Sequence, residues 1–136
     1  MPVYQTADDF YAVLRAGFGE LAADPRTLAD FQRRRMTVQI RTTNPETITV
    51  IDGKAAPAAF SFGAASTRVD LSLVLPADLF HSILLGETGV RAAFTSGNVQ
   101  VDGSIFRALQ LADLFRQIQR VYPRIWQAQR AAASDD

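Results

Sequence analysis

Residues Val69–Phe115 read VDLSLVLPADLFHSILLGETGVRAAFTSGNVQVDGSIFRALQLADLF, and their apolar period changes repeatedly. Val69, Leu71 and Leu73 alternate with Asp70 and Ser72, the two-residue period of a strand with one buried face. At Pro76 the period lengthens. Leu79, Phe80, Ile83 and Leu84 share one side of a helix that Gly86 is placed to end. The connector ETGVRAAF is irregular, and Val99 and Val101 then mark a short fifth strand. From Ser104 we expect one long helix to about Gln119. Its polar residues, Arg107, Gln110, Asp113 and Arg116 or Gln117, follow a narrow stripe. Ile105, Phe106, Ala108, Leu109, Leu111, Ala112, Leu114, Phe115 and Ile118 cover the remainder. A surface helix needs an apolar stripe little wider than ~100°. This helix is therefore expected to touch the sheet on one side and a helix or ligand on the other.

Upstream, TADDFYAVLRAGFGELAADP reads as a helix capped by Thr6, with Asp9 three residues on. Phe10, Val13, Leu14, Gly17, Phe18 and Leu21 form its apolar stripe, and Pro25 closes it. A short second helix buries Leu28 and Phe31. The period then drops to two. Met36, Val38 and Ile40 alternate with Thr37, Gln39 and Arg41, and Ile48 and Val50 alternate with threonines. Asn44-Pro45 and Asp52-Gly53 are turn signals, and Phe60 and Phe62 belong to a third strand. Four consecutive strands with short links predict an antiparallel meander with one wet face. Downstream, a last helix after Pro123 carries Ile125 and Trp126. The fold class is α+β: a mainly antiparallel sheet of about five strands with helices on one face. We expect one domain over residues 1–131 and a frayed tail over 132–136.

Composition narrows the function. The chain has 136 residues, 48% of them hydrophobic, so a full core is within reach. Basic and acidic residues number 14 each, which gives no bulk charge to attract nucleic acid or an anionic membrane. With no cysteine there is no disulfide and no thiolate chemistry. MPVYQTADDF has neither a basic nor an apolar signal region, and no apolar run approaches the ~20 residues of a membrane span. We therefore expect a cytoplasmic protein with no stable membrane insertion.

Reactive groups are sparse. His81 and Ser82 are adjacent on a helix and point about 100° apart, a poor nucleophile–base pair. A single histidine with scattered carboxylates makes no zinc set. Gly17 and Gly19 lie inside a helical pattern, so they are no dinucleotide fingerprint. Arg33, Arg34 and Arg35 read as a solvated edge, and Asp70 as a surface carboxylate. We expect no enzyme, no metal and no cofactor.

Val69 to Phe115 resembles the sterol carrier protein 2 (SCP2-like) family. The matching elements are the strand and helix from Leu71 to Gly86, then Ala93-Phe94-Thr95-Ser96-Gly97. The short strand Val99 to Val101, Gly103 and the apolar helix from Ser104 complete them. The resemblance spans about 110 residues and is specific over about 45. Asn98 stands where family members commonly have Lys, and the peroxisomal C-terminal tripeptide is missing, which shifts the implied compartment to a bacterial cytoplasm.

The resemblance implies helices over one face of a five-stranded sheet, with an apolar tunnel between them. By position, its sheet wall is Phe60, Phe62, Leu71 and Leu73. Phe80, Ile83, Leu84, Phe94, Phe106, Leu109 and Leu114 form the helical wall, with Trp126 as a lid. The implied function is non-catalytic carriage of a fatty acid, acyl chain, sterol-like or isoprenoid compound. The alternative is an accessory or dimerisation module of a biosynthetic complex, whose partner is a second copy or a biosynthetic enzyme. A small cone-shaped α+β enzyme, with Asp70 and His81 as its modest acid–base candidates, ranks last.

Overall fold

The computed structural model describes residues 2–55, 57–66 and 68–134. Helix α1 spans Ala7–Ala23, and the Thr6 hydroxyl accepts the Asp9 N–H at 3.2 Å, a side-chain cap on an otherwise unpaired donor. Its buried residues are Phe10, Val13, Leu14, Gly17, Phe18 and Leu21, the stripe expected from spacing. A 3₁₀ turn at Pro25–Leu28 leads into α2, Ala29–Arg33, and buries Leu28 while α2 buries Phe31.

The strands are β1 (Thr37–Thr43), β2 (Thr47–Asp52), β3 (Ala59–Phe62), β4 (Leu71–Pro76) and β5 (Gln100–Asp102). They lie in the order β3-β2-β1-β4-β5. The expected meander fails at its fourth strand. β4 does not follow β3; it runs parallel to β1, with Val38 opposite Leu71 and Ile40 opposite Leu73. The three other pairings are antiparallel. A parallel pair needs a crossover, and here the β2–β3 hairpin and the return segment make it. That return is pinned to β1. Ser66 N–H donates to Gln39 Oε1 at 2.9 Å, Asp70 N–H to the Thr37 carbonyl at 2.8 Å, and Thr37 N–H to the Asp70 carboxylate at 2.8 Å. The same segment covers the side of β1 expected to be wet, which is why Thr37 and Gln39 are buried.

Register decides which side of β2 meets the helices. Val38, Ile40 and Thr42 stand opposite Ile51, Thr49 and Thr47, and Ile51 and Thr49 stand opposite Phe60 and Phe62. The helix-facing residues of β2 are thus Thr47, Thr49 and Ile51. Ile48 and Val50, read from the sequence as the buried pair, point to the other face. A one-residue offset in a period of two has that effect on every side chain.

The helical layer continues with α3 (Ala77–Leu85), α4 (Val90–Thr95), α5 (Ile105–Leu109), α6 (Ala112–Gln119) and α7 (Tyr122–Ser134). Gly86 ends α3 in the left-handed region at φ 81°, its N–H bonded to the Ile83 carbonyl. Two expectations change. The connector ETGVRAAF contains α4, and the single long helix from Ser104 is two, separated at Gln110 and Leu111. There the Gln110 and Leu111 N–H groups reach the carbonyls three residues back, the tighter 3₁₀ pattern. Ala132 to Ser134, expected to fray, extend α7, and Asp135 and Asp136 lie outside the described residues. α1 packs on α7, α6 and β2. A Cβ on Gly17 would stand 2.8 Å from Ile118 Cδ1, so the missing side chain lets α1 approach α6 closely.

Candidate functional site

The space between sheet and helices holds most of the side chains expected to line a tunnel. Leu71 and Leu73 of β4, Phe80, Ile83 and Leu84 of α3 and Leu114 of α6 are all buried in one apolar cluster. Phe60, Phe62, Phe94 and Trp126 are partly buried and pack against it. Aromatic contacts tie the layers together. Phe18 of α1 stacks on Phe60 at 4.6 Å between centroids, and Phe80 lies 5.8 Å from Phe10 and 6.2 Å from Phe115. Leu109 is half-buried. Phe106 stands apart: it is 68% exposed, and its neighbour Ile105 is 52% exposed. A break at Gln110 and Leu111 separates α5 from α6, and those two side chains of α5 face solvent.

Polar groups interrupt this layer in two places. The first centres on His81 of α3. It is 4% exposed, in the helical layer. Its Nδ1 lies 2.6 Å from the Tyr122 hydroxyl, which lies 2.6 Å from the Tyr4 hydroxyl. Trp126 meets the His81 ring edge-on at 4.5 Å, and Tyr4 stacks on Phe10 at 4.3 Å. Burial lowers the basicity of His81, against the pull of Glu87 and Asp78. Burial also pushes both phenols well above the usual tyrosine range, the neighbouring Tyr4 adding to the effect at Tyr122. All three groups are therefore neutral around pH 7. A buried chain of this kind is a connector between the N-terminal segment, α3 and α7. A histidine inside the apolar face Phe80, Ile83, Leu84 was a signal for it, because such a residue needs a buried partner.

The second interruption is a row of threonines. Thr42 donates to the Pro45 carbonyl at 2.9 Å, so Thr47, 2.6 Å from Thr42, donates to it in turn. Thr49, fully buried on the same face, has a hydroxyl without a hydrogen-bond partner among the described residues.

Asp70 acts as a staple at the entry to β4. It accepts the Thr37 N–H, pairs with Lys54 Nζ at 2.9 Å and has Arg107 Nη1 at 3.9 Å. The Thr37 bond first, and Lys54 after it, hold its carboxyl below the usual carboxylate range. Beside it, Gly103 takes φ 124°, and a Cβ there would stand 3.0 Å from the Asp70 carbonyl oxygen. No group of three or more His, Asp or Glu among the described residues could hold a metal ion. No described helix is long and apolar enough to cross a membrane.

With this architecture established, comparison with known proteins is decisive at the level of family. The family model described as "SCP-2 sterol transfer family" matches residues 18–116. The chain belongs to the SCP-2 sterol transfer family. The fold of solved SCP-2 structures agrees. Sterol carrier protein 2 from Yarrowia lipolytica, in its apo form, superposes with a TM-score of 0.64 at 16% identity, covering 81% of this chain and 89% of that one. The sterol carrier protein domain 2 of Helicoverpa armigera gives 0.63 at 16%, covering 82% and 88%. A structure described as a UbiJ-SCP2 ubiquinone synthesis protein gives 0.57 at 14%, covering 80% and 98%. No curated protein sequence matches the chain. The SCP-2 assignment supports a lipid-binding or carrier role. It covers the last third of α1, the whole sheet and the helices through most of α6, and leaves out the N-terminal segment, the rest of α1 and α7.

Proposed function

We propose that this SCP-2 chain is a non-catalytic cytoplasmic carrier of a hydrophobic ligand. The cargo class is a fatty acid, acyl chain, sterol-like or isoprenoid compound, held between the sheet and the helical layer. The observation that carries the reading is the facing of two apolar walls: Leu71 and Leu73 on β4 against Phe80, Ile83, Leu84 and Leu114. The walls now pack on one another, so entry of a cargo requires an element to yield. α5 is the best candidate. It is five residues long, is separated from α6 by the Gln110 break, and leaves Ile105 and Phe106 outside the core. Burying roughly 400 Å² of a lipid stabilises a complex by on the order of 10 kcal/mol at ~25 cal/mol/Å². Association costs at least ~4 kcal/mol of that. The remainder corresponds to exchangeable, roughly micromolar to sub-millimolar binding that discriminates by length and shape.

The test is native mass spectrometry of the purified protein, followed by lipid extraction and titration with a fluorescent fatty acid. The reading expects a bound lipid and saturable displacement of the probe. Absence of both a bound ligand and displacement would overturn it. A second reading, an accessory or dimerisation module, draws on the solvent-facing pair Ile105 and Phe106. Sedimentation of the native protein and of an Ile105→Ser/Phe106→Ser variant separates the two: a dimer lost in the variant supports the module.

A further inference from the structure

A half-enclosed cleft of about 490 Å³ opens where the N-terminal segment, the first half of α1 and the middle of α7 meet. That volume falls within the range of small-molecule sites. Every residue lining it lies outside the family-matched span of 18–116. The cleft is thus built from the parts of this chain that the family pattern does not dictate; none of Leu71, Leu73, Phe80, Ile83, Leu84 and Leu114 lines it, although Trp126 borders both it and the sheet–helix layer.

Its walls are apolar and partly aromatic. Val13 of α1 and the ring of Tyr4 form the inner wall, both buried, while Val3 and Trp126 flank it nearer solvent. The Tyr4 hydroxyl is held at 2.6 Å by Tyr122, which leaves the ring as the surface Tyr4 presents. The polar groups sit at the rim. Asp9 offers a carboxylate, Gln129 an amide, and Arg130 a guanidinium held 4.7 Å over the Trp126 ring. A rim with one acid and one base rewards neither a net anion nor a net cation. It can accept from a hydroxyl at Asp9 and donate to its oxygen from Gln129 or Arg130. The partly exposed Trp126 ring favours a flat ligand by stacking, over an apolar floor of Val13 and the Tyr4 ring, which is itself stacked on Phe10.

We propose that this cleft is a second binding site, for an uncharged, flat aromatic molecule bearing a hydroxyl group. The wall behind it is rigid, because Tyr4 is fixed by Phe10 and by the Tyr122–His81 chain. The site is therefore formed before the ligand arrives, and little ordering is paid on binding.

The experiment is a two-dimensional NMR titration of the full chain with a naphthol as probe, repeated after saturation with oleate. The expected result is saturable shifts of the Trp126 indole N–H and of the Val13 and Gln129 amides, unchanged by oleate. Gln129 is exposed, so Gln129→Trp should fill the cleft without disturbing the fold, which thermal melting checks. In that variant naphthol affinity should fall by about tenfold or more. Shifts confined to Leu73, Leu84 and Leu114, competition by oleate, absence of saturable shifts, or unchanged affinity in Gln129→Trp would each overturn the proposal. Oleate that fails to bind at all counts against the carrier reading and leaves the naphthol result standing.

Discussion

The Tyr122 hydroxyl stands 2.6 Å from Nδ1 of His81, with Tyr122 fully buried and His81 nearly so. The contact joins α3 to α7 across 41 residues, and the Tyr4 hydroxyl extends it to the N-terminal segment. The chain is polar, neutral and surrounded by aromatic rings. Its energetic weight lies less in the bonds made than in the cost of leaving any member unpaired.

Tyr122→Phe removes the middle member and leaves both His81 Nδ1 and the Tyr4 hydroxyl without their partner. Urea unfolding should show a loss of about 1–3 kcal/mol. In a double-mutant cycle, Tyr4→Phe and Tyr122→Phe should combine to less than the sum of their separate losses, because they share one bond.

The single histidine also sets a pH dependence. Burial holds His81 below its ordinary basicity in the folded state. Below about pH 6.5 the unfolded chain takes up a proton that the folded chain resists. The unfolded state then binds more protons, so stability falls as pH drops. The contribution is fully present above about pH 6.5 and is lost progressively below it. Unfolding free energies measured between pH 7.5 and pH 5 should decline, and His81→Phe should flatten that slope.

Thr49→Val replaces a buried, unpartnered hydroxyl by a methyl of similar shape. Stability should rise by about 1 kcal/mol, because the desolvation cost of the hydroxyl disappears. A fall in the urea midpoint at unchanged slope would mean that Thr49 has a partner after all.

Exposure separates two phenylalanines that the sequence pattern treats alike. Phe106→Ser should leave stability within about 0.5 kcal/mol of the parent. Phe80→Ala, at a position 1% exposed, should cost about 3–5 kcal/mol. If α5 admits the cargo, Phe106→Ser should also alter the rate of fatty-acid uptake, read by stopped-flow fluorescence.

What the sequence made legible was local. The Thr6 cap, the α1 stripe from Phe10 to Leu21 and the Gly86 stop each rest on residues within one or two turns of one another. The partner of β4 was not local. Its place beside β1 is fixed by Asp70 and Ser66 bonding to Thr37 and Gln39, about thirty residues upstream. The same holds for Thr49, whose direction depends on cross-strand register rather than on its neighbours. The break between α5 and α6 carries no Gly or Pro to announce it. Of the tunnel residues that the family resemblance implies, Leu71, Leu73, Phe80, Ile83, Leu84 and Leu114 lie together in the core. Phe106 has the same spacing but lies beyond the break. Tyr4 and Tyr122, 118 positions apart, gave no joint signal at all.

The central claim is that a lipid chain lies between the sheet and the helices. Paramagnetic broadening by a spin-labelled fatty acid tests it most directly, read on methyl groups of the labelled protein. The account predicts that the Leu71, Leu73, Leu84 and Leu114 methyls broaden saturably with added fatty acid. Broadening confined to Ile105 and other surface methyls, with those four unaffected, would contradict it.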